Sequence, residues 1–187
     1  MRLISLTSNG SSFKTVRFRK EGVSLILGKQ KPRDPNEKSD GKTYNGVGKS
    51  LLLYLINFCL AADPNESFTR QLAGWDFTLR VEIDGKEIPI TRRVSEPDTI
   101  NYAGESVTTK RFKERLEQQL FPEAKNQSYL TFRSLLGLFL RTGEFAYSVH
   151  DGIHFSEKPV AKTARCAYLL APRCFTSSSK IQTHPAT

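Results

Sequence analysis

The clearest pattern of polar and apolar positions lies between residues 76 and 94. Apolar side chains occupy every second position of its first half, at Phe77, Leu79, Val81 and Ile83. Asp84-Gly85 follows, a pair that favours a two-residue turn, and Ile88 and Ile90 continue the alternation beyond it. The pattern predicts an antiparallel β-hairpin with one apolar face.

Shorter strands are predicted nearer the N-terminus. Residues 3–7 and 13–18 have the composition of strands and flank a turn rich in serine, asparagine and glycine. Residues 23–27 are apolar at every position except Ser24, which is typical of a strand buried on both faces. The stretch 29–42 is polar and contains prolines, so it is predicted to be a loop.

Helical periodicity predicts three helices. Residues 49–60 are apolar almost all round, which indicates a buried helix, whereas residues 110–121 and 128–141 are amphipathic. These elements predict an α/β fold: a mixed sheet with residues 23–27 as its central strand, an antiparallel N-terminal layer and flanking helices. We expect a folded domain over residues 1–155. Residues 156–187, with scattered proline, serine and threonine, are expected to be a weakly structured basic tail.

Composition and charge bound the function classes. Hydrophobic residues make up 38% of the chain and charged residues 25%, which excludes the composition of a disordered protein. The formal net charge of +9 predicts a surface that attracts polyanions, and nucleic acid is the obvious candidate. An equally weighted alternative is a basic part of a larger protein whose acidic parts lie elsewhere.

Cysteine usage and hydropathy bear on the compartment. The three cysteines are odd in number and widely spaced, at Cys59, Cys166 and Cys174, which favours a reducing cytoplasm over a disulfide framework. The first residues lack the apolar stretch of a secretory leader. The longest apolar run, at residues 51–56, is too short to span a bilayer. We expect a soluble cytoplasmic protein with no membrane contact.

The strongest chemical signal is a glycine-rich loop between an apolar strand and an apolar helix. Nucleotide phosphates need several backbone N–H donors converging at a helix N-terminus, where the dipole also favours negative charge. Glycines in the loop let the backbone approach the phosphates closely. The residues predicted to bind ATP are Asn45, Gly46, Val47, Gly48, Lys49, Ser50 and Leu51.

Two side chains of this loop have specific predicted roles. Lys49 reaches the β- and γ-phosphates as a compact cation, and the Ser50 hydroxyl ligates the Mg²⁺ that bridges them. The usual spacing requires glycine at position 43, which here is Thr43. Gly28 looks like that first glycine, separated from the loop by residues 29–42. The alternative is a chance turn of this composition, which the fit of both flanks makes the weaker hypothesis.

Phe13-Lys14-Thr15-Val16, residues 23–28 and the loop at 45–50 follow one another in an order seen in one family. This succession resembles the opening of RecF-, RecN- and SMC-type ATPase heads, which are ABC-type P-loop ATPases. The insertion at 29–42, together with residues 130–141, is more similar to the SMC-like ATPases of bacterial ABC-three-component systems, which are associated with mobile elements and defence. The resemblance covers roughly residues 1–155.

The resemblance implies the N-terminal lobe of a P-loop ATPase head that binds ATP and Mg²⁺ and acts on DNA in repair or anti-phage defence. Its partners would be non-specific DNA and a second ATPase head or a C-terminal lobe. In such heads the C-terminal lobe carries a Ser-Gly-Gly signature loop and the Walker B carboxylates. Neither pattern occurs in this sequence. The chain therefore looks truncated, and ATPase activity is expected only if such a lobe completes it.

Two other functions remain open from the sequence. One is a truncated interaction module that does not hydrolyse ATP. The other is a small stand-alone P-loop kinase or NTPase, which requires a catalytic carboxylate on a second buried strand that the pattern does not show.

Weaker candidates accompany the loop. Gln127 resembles the glutamine that senses Mg²⁺ in ABC heads, and a surface amide is its favoured alternative. Trp75 has the side chain to stack on a base, although packing at a strand edge explains it more simply. A zinc site is disfavoured because no zinc-ligand spacing is present. Its ligands would be His150, His154, Cys166 and Cys174.

Overall fold

The computed structural model describes residues 1–27, 49–142 and 157–170. Within these ranges the strands are β1 (Arg2–Ser8), β2 (Val16–Arg17), β3 (Asp76–Ile83), β4 (Lys86–Arg93), β5 (Thr99–Tyr102) and β6 (Glu105–Thr108). The helices are α1 (Lys49–Cys59), α2 (Glu66–Gln71), α3 (Thr109–Leu120), α4 (Phe132–Phe139) and α5 (Pro159–Leu170), with a short 3-10 helix at Pro122–Ala124. The chain divides into two compact units, Met1–Lys113 and Glu114–Thr187, and the boundary lies inside α3.

The strands of the first unit form one six-stranded sheet in the order β2-β1-β3-β4-β5-β6. Every neighbouring pair is antiparallel, so the prediction of α/β structure with flanking helices is confirmed while that of a mixed sheet is wrong for the described strands. The central hairpin is as predicted. Asp84 and Gly85 join β3 to β4 with positive φ angles of 50° and 75°, as a tight two-residue turn requires.

The alternation along the hairpin gives the sheet an apolar and a polar face. On the apolar face Leu79 lies opposite Ile90, and neither side chain is exposed to solvent. Burying a side chain of this size stabilises a fold by about 1.5–3 kcal/mol. On the polar face the hydroxyls of Thr78 and Thr91 share a hydrogen bond of 2.8 Å. The apolar face therefore forms the core, and α1 lies on that side.

Residues 23–27 differ most from expectation. They were predicted to form a central strand buried on both faces, but the structure has no strand there. Val23 is 79% exposed and Leu25 77% exposed. An apolar pattern shows what a segment can bury, whereas burial also needs a neighbouring strand and cover on both faces. Among the described residues no strand pairs with this segment, so the prediction is wrong for it.

Several elements of the first unit were not predicted. β5 and β6 are only four residues each and are joined by Ala103 and Gly104, both at positive φ. α2 begins at an asparagine cap, where the Asn65 side chain accepts a hydrogen bond from the backbone N–H of Phe68 at 2.8 Å. Strands this short carry too little alternation to be distinguished from loops.

The second unit contains the C-terminal half of α3, α4 and α5. α4 begins at Phe132 rather than at residue 128, because Thr131 caps it and exchanges hydrogen bonds with Ser134 in a capping box. The hydrophobic core of the second unit contains Ala124, Leu130, Leu135 and Tyr168.

The tail expected at 156–187 contains a helix. Residues 159–170, expected to be weakly structured, form α5, which buries Tyr168 and also Arg165 in an ion pair with Glu157. Residues 171–187 lie outside the described part of the chain, and so does the expected domain boundary at 155. The division of the chain at that boundary remains a prediction.

Candidate nucleotide-binding site

The structure describes one end of the predicted phosphate-binding loop. α1 begins at Lys49, as the sequence pattern predicts, and Ser50 lies exposed in its first turn. Leu51 follows and is 40% exposed. Asn45, Gly46, Val47 and Gly48 lie outside the described residues, as do Gly28, Thr43 and the Lys49 side chain.

The first turn of α1 has the chemistry that an anion needs. The first backbone N–H groups of a helix have no acceptor within that helix, and the dipole places partial positive charge there. The first turn of α1 carries no aspartate or glutamate that would repel a phosphate. The donor set therefore fits a nucleotide phosphate, with the Ser50 hydroxyl as an oxygen ligand of the kind Mg²⁺ takes.

Aromatic side chains fix the C-terminal half of α1 against the sheet. Phe58 is 2% exposed and packs edge-on against Phe77 of β3, with 6.5 Å between ring centroids. It also packs against Phe68 of α2, with 5.0 Å between ring centroids. Such pairs stabilise a fold by about 0.5–1.5 kcal/mol each beyond the area they bury. The helix is therefore held by its buried end, and its loop end faces solvent at Ser50.

A buried arginine of β4 contacts the same end of α1. Arg92 is 1% exposed, and its Nη1 donates hydrogen bonds of 2.6 Å to the backbone oxygens of Phe58 and Ala62. Its Nε donates a 2.7 Å bond to the Pro97 oxygen, in the connection between β4 and β5. The guanidinium carbon also lies 4.3 Å from the centroid of the Phe58 ring. The sequence pattern does not reveal these contacts of Arg92. Position 92 continues the alternation of β4 on its apolar face, where an apolar residue is normally found.

The buried cysteine of α1 is chemically inert. The Cys59 thiol donates to the Phe77 carbonyl oxygen at 3.8 Å and is fully buried. Burial raises the pKa of this thiol to about 12, against a smaller lowering by the Arg92 charge. The thiol is therefore neutral at physiological pH, which is typical of a structural buried cysteine.

The predicted metal ligands are only partly described. Gln127 is exposed in a turn of the second unit, where its backbone N–H donates to the Ala124 oxygen at 3.0 Å. Ser50 belongs to the first unit, so its pairing with Gln127 at Mg²⁺ remains a prediction. In the described part of the chain no three histidine, cysteine or acidic side chains cluster to hold a metal. Of the zinc candidates only Cys166 is described; His150, His154 and Cys174 are outside.

Trp75 has a packing role. Its ring stacks on Phe77 with 5.8 Å between centroids. Gly10 lies directly against the indole, because a Cβ built on Gly10 would be 2.5 Å from the nearest ring atom. The packing interpretation of Trp75 is therefore confirmed, and Gly10 is needed for the close approach.

A hollow of about 400 Å³ lies on the polar face of the sheet. Arg93 is its cation, and the guanidinium lies 3.5 Å from Asp76 and 3.6 Å from Glu96. Two carboxylates neutralise this charge, so the hollow lacks the positive potential that a triphosphate needs. The first turn of α1, which carries no acidic residue, is the better candidate for a phosphate site.

The structure shows a cluster of exposed basic residues on and around β2 that the sequence analysis does not identify. Four of the seven residues from 14 to 20 are lysine or arginine, and all four are exposed. They are Lys14, Arg17, Arg19 and Lys20. Their density along the chain was the signal that could have identified them.

In the described ranges, every helix is too short or too polar to cross a lipid bilayer. Comparison of the sequence with family models and with curated proteins gives no match. The assignment of a function to this chain therefore depends on its own residues and their placement.

Proposed function

We propose that this chain binds ATP with Mg²⁺ as the N-terminal half of an SMC-like ATPase head that acts on DNA. The observation that carries the proposal is the Gly-Lys-Ser sequence leading into α1, whose first turn is free of acidic residues and exposed at Ser50. Buried contacts at the opposite end of α1 support it, because they fix the helix that presents the loop. The cysteine usage supports a cytoplasmic setting.

Each residue of the loop has a defined role in this proposal. Backbone N–H groups of Gly46 and Gly48 surround the phosphates, and the Lys49 ammonium neutralises part of their charge. The Ser50 hydroxyl would hold Mg²⁺, and the metal would supply positive charge to the bound phosphates. The direct test is a calorimetric titration of Mg²⁺-ATP into the full chain. A measurable dissociation constant is expected, and the absence of any binding at millimolar ATP would contradict the proposal.

Hydrolysis of ATP requires a carboxylate beside the bound nucleotide, and the described strands hold their carboxylates away from α1. The carboxylates of Asp76, Glu82 and Glu87 lie on the polar face of the sheet, whereas α1 packs on the apolar face. Glu82 is bonded to Arg2 at 2.6 Å, and this hydrogen bond lowers the pKa of the carboxyl. The described strands therefore offer α1 no carboxylate that polarises water, and in this proposal that group comes from a C-terminal lobe or a second head.

We expect this chain alone to hydrolyse ATP no faster than the uncatalysed background, because binding groups without a base and a complete metal site do not lower the barrier. Phosphate release would be measured with Mg²⁺ in the full chain and in the Lys49→Ala variant. Turnover that persists through purification and disappears in Lys49→Ala would show a complete active site. That result would favour the stand-alone kinase or NTPase.

The exposed segment at residues 23–27 favours the second candidate, an interaction module. Its backbone can add as a strand to a partner's sheet, or its apolar side chains can be covered by a partner's helix, and an exposed apolar run of this kind marks an interaction site. The two candidates differ in one measurement. The interaction module binds a protein partner whether or not ATP is present, whereas the ATPase head depends on the residues of the loop.

The basic cluster of Lys14, Arg17, Arg19 and Lys20 is the surface that we propose for DNA. No base-reading motif is present, so contacts would be to phosphates and binding would not depend on sequence. Charged side chains on an edge strand also prevent edge-to-edge aggregation, which is the alternative explanation.

Replacing the four basic residues by glutamine is expected to weaken binding of a fluorescent duplex about tenfold or more at moderate salt. The slope of log affinity against log salt should become shallower by about 3.6, which is about 0.9 for each of the four phosphate contacts that no longer release counterions. The control variant replaces Lys86, Lys110, Lys125 and Lys158 by glutamine, which also lowers the net charge from +9 to +5. Equal losses in both variants would mean that only net charge matters and that β2 carries no DNA surface.

A further inference from the structure

The C-terminal end of α1 depends on a residue from another element. The last carbonyl groups of a helix have no donor within it, and a cation beside them is favourable to the helix dipole. α1 carries no basic residue in its last turn. Arg92 provides the missing cation from β4 and donates to the carbonyls of Phe58 and Ala62. It therefore satisfies the end of α1 both in hydrogen bonding and in charge.

These hydrogen bonds also restrict how α1 can move. Packed apolar side chains allow small shifts of a helix along its axis, but directional bonds from a planar guanidinium do not. Arg92 bonds to the end of α1 and to the Pro97 carbonyl between β4 and β5. The helix is thereby tied to β4 and, through Arg92, to the connection between β4 and β5. Phe58 is only about 12 Å along the helix axis from Ser50, at a rise of 1.5 Å per residue.

We propose that Arg92 is a positioning residue for the phosphate site. It fixes the axial position and rotation of α1, so that the first turn presents the Ser50 hydroxyl and the backbone N–H groups of the helix in the geometry that phosphates require. Arg92 acts through the helix and does not contact the nucleotide. A small shift of α1 at Phe58 is transmitted along the helix to its first turn. Phosphate binding by converging donors tolerates little displacement, so such a shift weakens binding. The inference rests on the proposed binding of ATP by this loop.

The test compares ATP affinity in variants that each replace a buried residue of the same sheet. Arg92→Met keeps a long apolar stem but removes the charge and the donors, and Arg92→Lys restores the charge without the planar fork. Val107→Ala, in β6 and 4% exposed in the wild type, destabilises the same sheet at its edge without removing a bond to α1. Each full-length variant is titrated with Mg²⁺-ATP by calorimetry at a temperature where circular dichroism shows it folded.

We expect Arg92→Met to lose at least about tenfold in ATP affinity, Arg92→Lys to lose less, and Val107→Ala to stay within about twofold of the wild type. Arg92→Met binding as tightly as Val107→Ala, while the wild type binds ATP, would overturn the positioning role and leave the proposed function intact. If Arg92→Met does not fold, the comparison of Arg92→Lys with Val107→Ala decides in the same way. A wild type that does not bind ATP would overturn the proposed function and this inference with it.

Discussion

Replacing Lys49 by alanine is expected to weaken ATP binding about 100-fold, while the circular dichroism spectrum stays unchanged. A charge-assisted hydrogen bond to a phosphate contributes about 1.5–3 kcal/mol, which corresponds to a loss of between tenfold and more than 100-fold in affinity. The backbone of Lys49 already belongs to α1, and alanine is the best helix former. The substitution should therefore remove a phosphate contact without disturbing the helix.

The matched control for this variant is Lys110→Ala. Lys110 is exposed in the first turn of α3, so this change also removes one positive charge from the start of a helix. Equal ATP affinity in the wild type, Lys49→Ala and Lys110→Ala by calorimetry would contradict the proposed site.

Ser50→Ala should act differently from either. It should bind ATP without Mg²⁺ as the wild type does and lose most of the gain in affinity that Mg²⁺ gives.

The hairpin could be predicted from the sequence because its information is local. Alternation, a two-residue turn and strands of eight residues all agree, and the structure has the same turn at Asp84 and Gly85. The start of α1 at Lys49 could be predicted for a similar reason, since an apolar helix follows a glycine-rich loop. Local patterns of sufficient length are the part of a fold that a single sequence shows best.

The rest depended on contacts between distant residues. Residues 23–27 have the pattern of a buried strand, but a pattern does not supply the strand that would pair with them. Arg92 is a charged residue at a core position, and two of its hydrogen-bond acceptors, at Phe58 and Ala62, lie 30 or more positions away in the chain. Its role can be seen only once α1 and β4 are brought together. The same is true of α5, whose weak pattern conceals a buried Tyr168.

Replacing Phe77 by alanine is expected to give a large loss of stability. Its ring is 1% exposed and is the common neighbour of Phe13, Phe58 and Trp75, at centroid distances of 5.7, 6.5 and 5.8 Å. A buried phenylalanine replaced by alanine costs about 3–5 kcal/mol, from the lost transfer free energy and the cavity left behind. Since many domains have a free energy of unfolding of only about 5–15 kcal/mol, the melting temperature should fall by about 10 °C.

Two controls make the Phe77 result informative about the whole core. Phe139→Ala makes the same chemical change at a side chain that is 69% exposed, and Leu25→Ala removes an apolar side chain that is 77% exposed. Exposed positions of this kind change stability by about 0.5 kcal/mol or less, so urea unfolding of both variants should match the wild type. A Phe77→Ala variant as stable as these controls would contradict the aromatic core around α1. A Leu25→Ala variant that loses about 2 kcal/mol or more would contradict the exposed placement of residues 23–27, because only a buried leucine leaves a cavity of that cost.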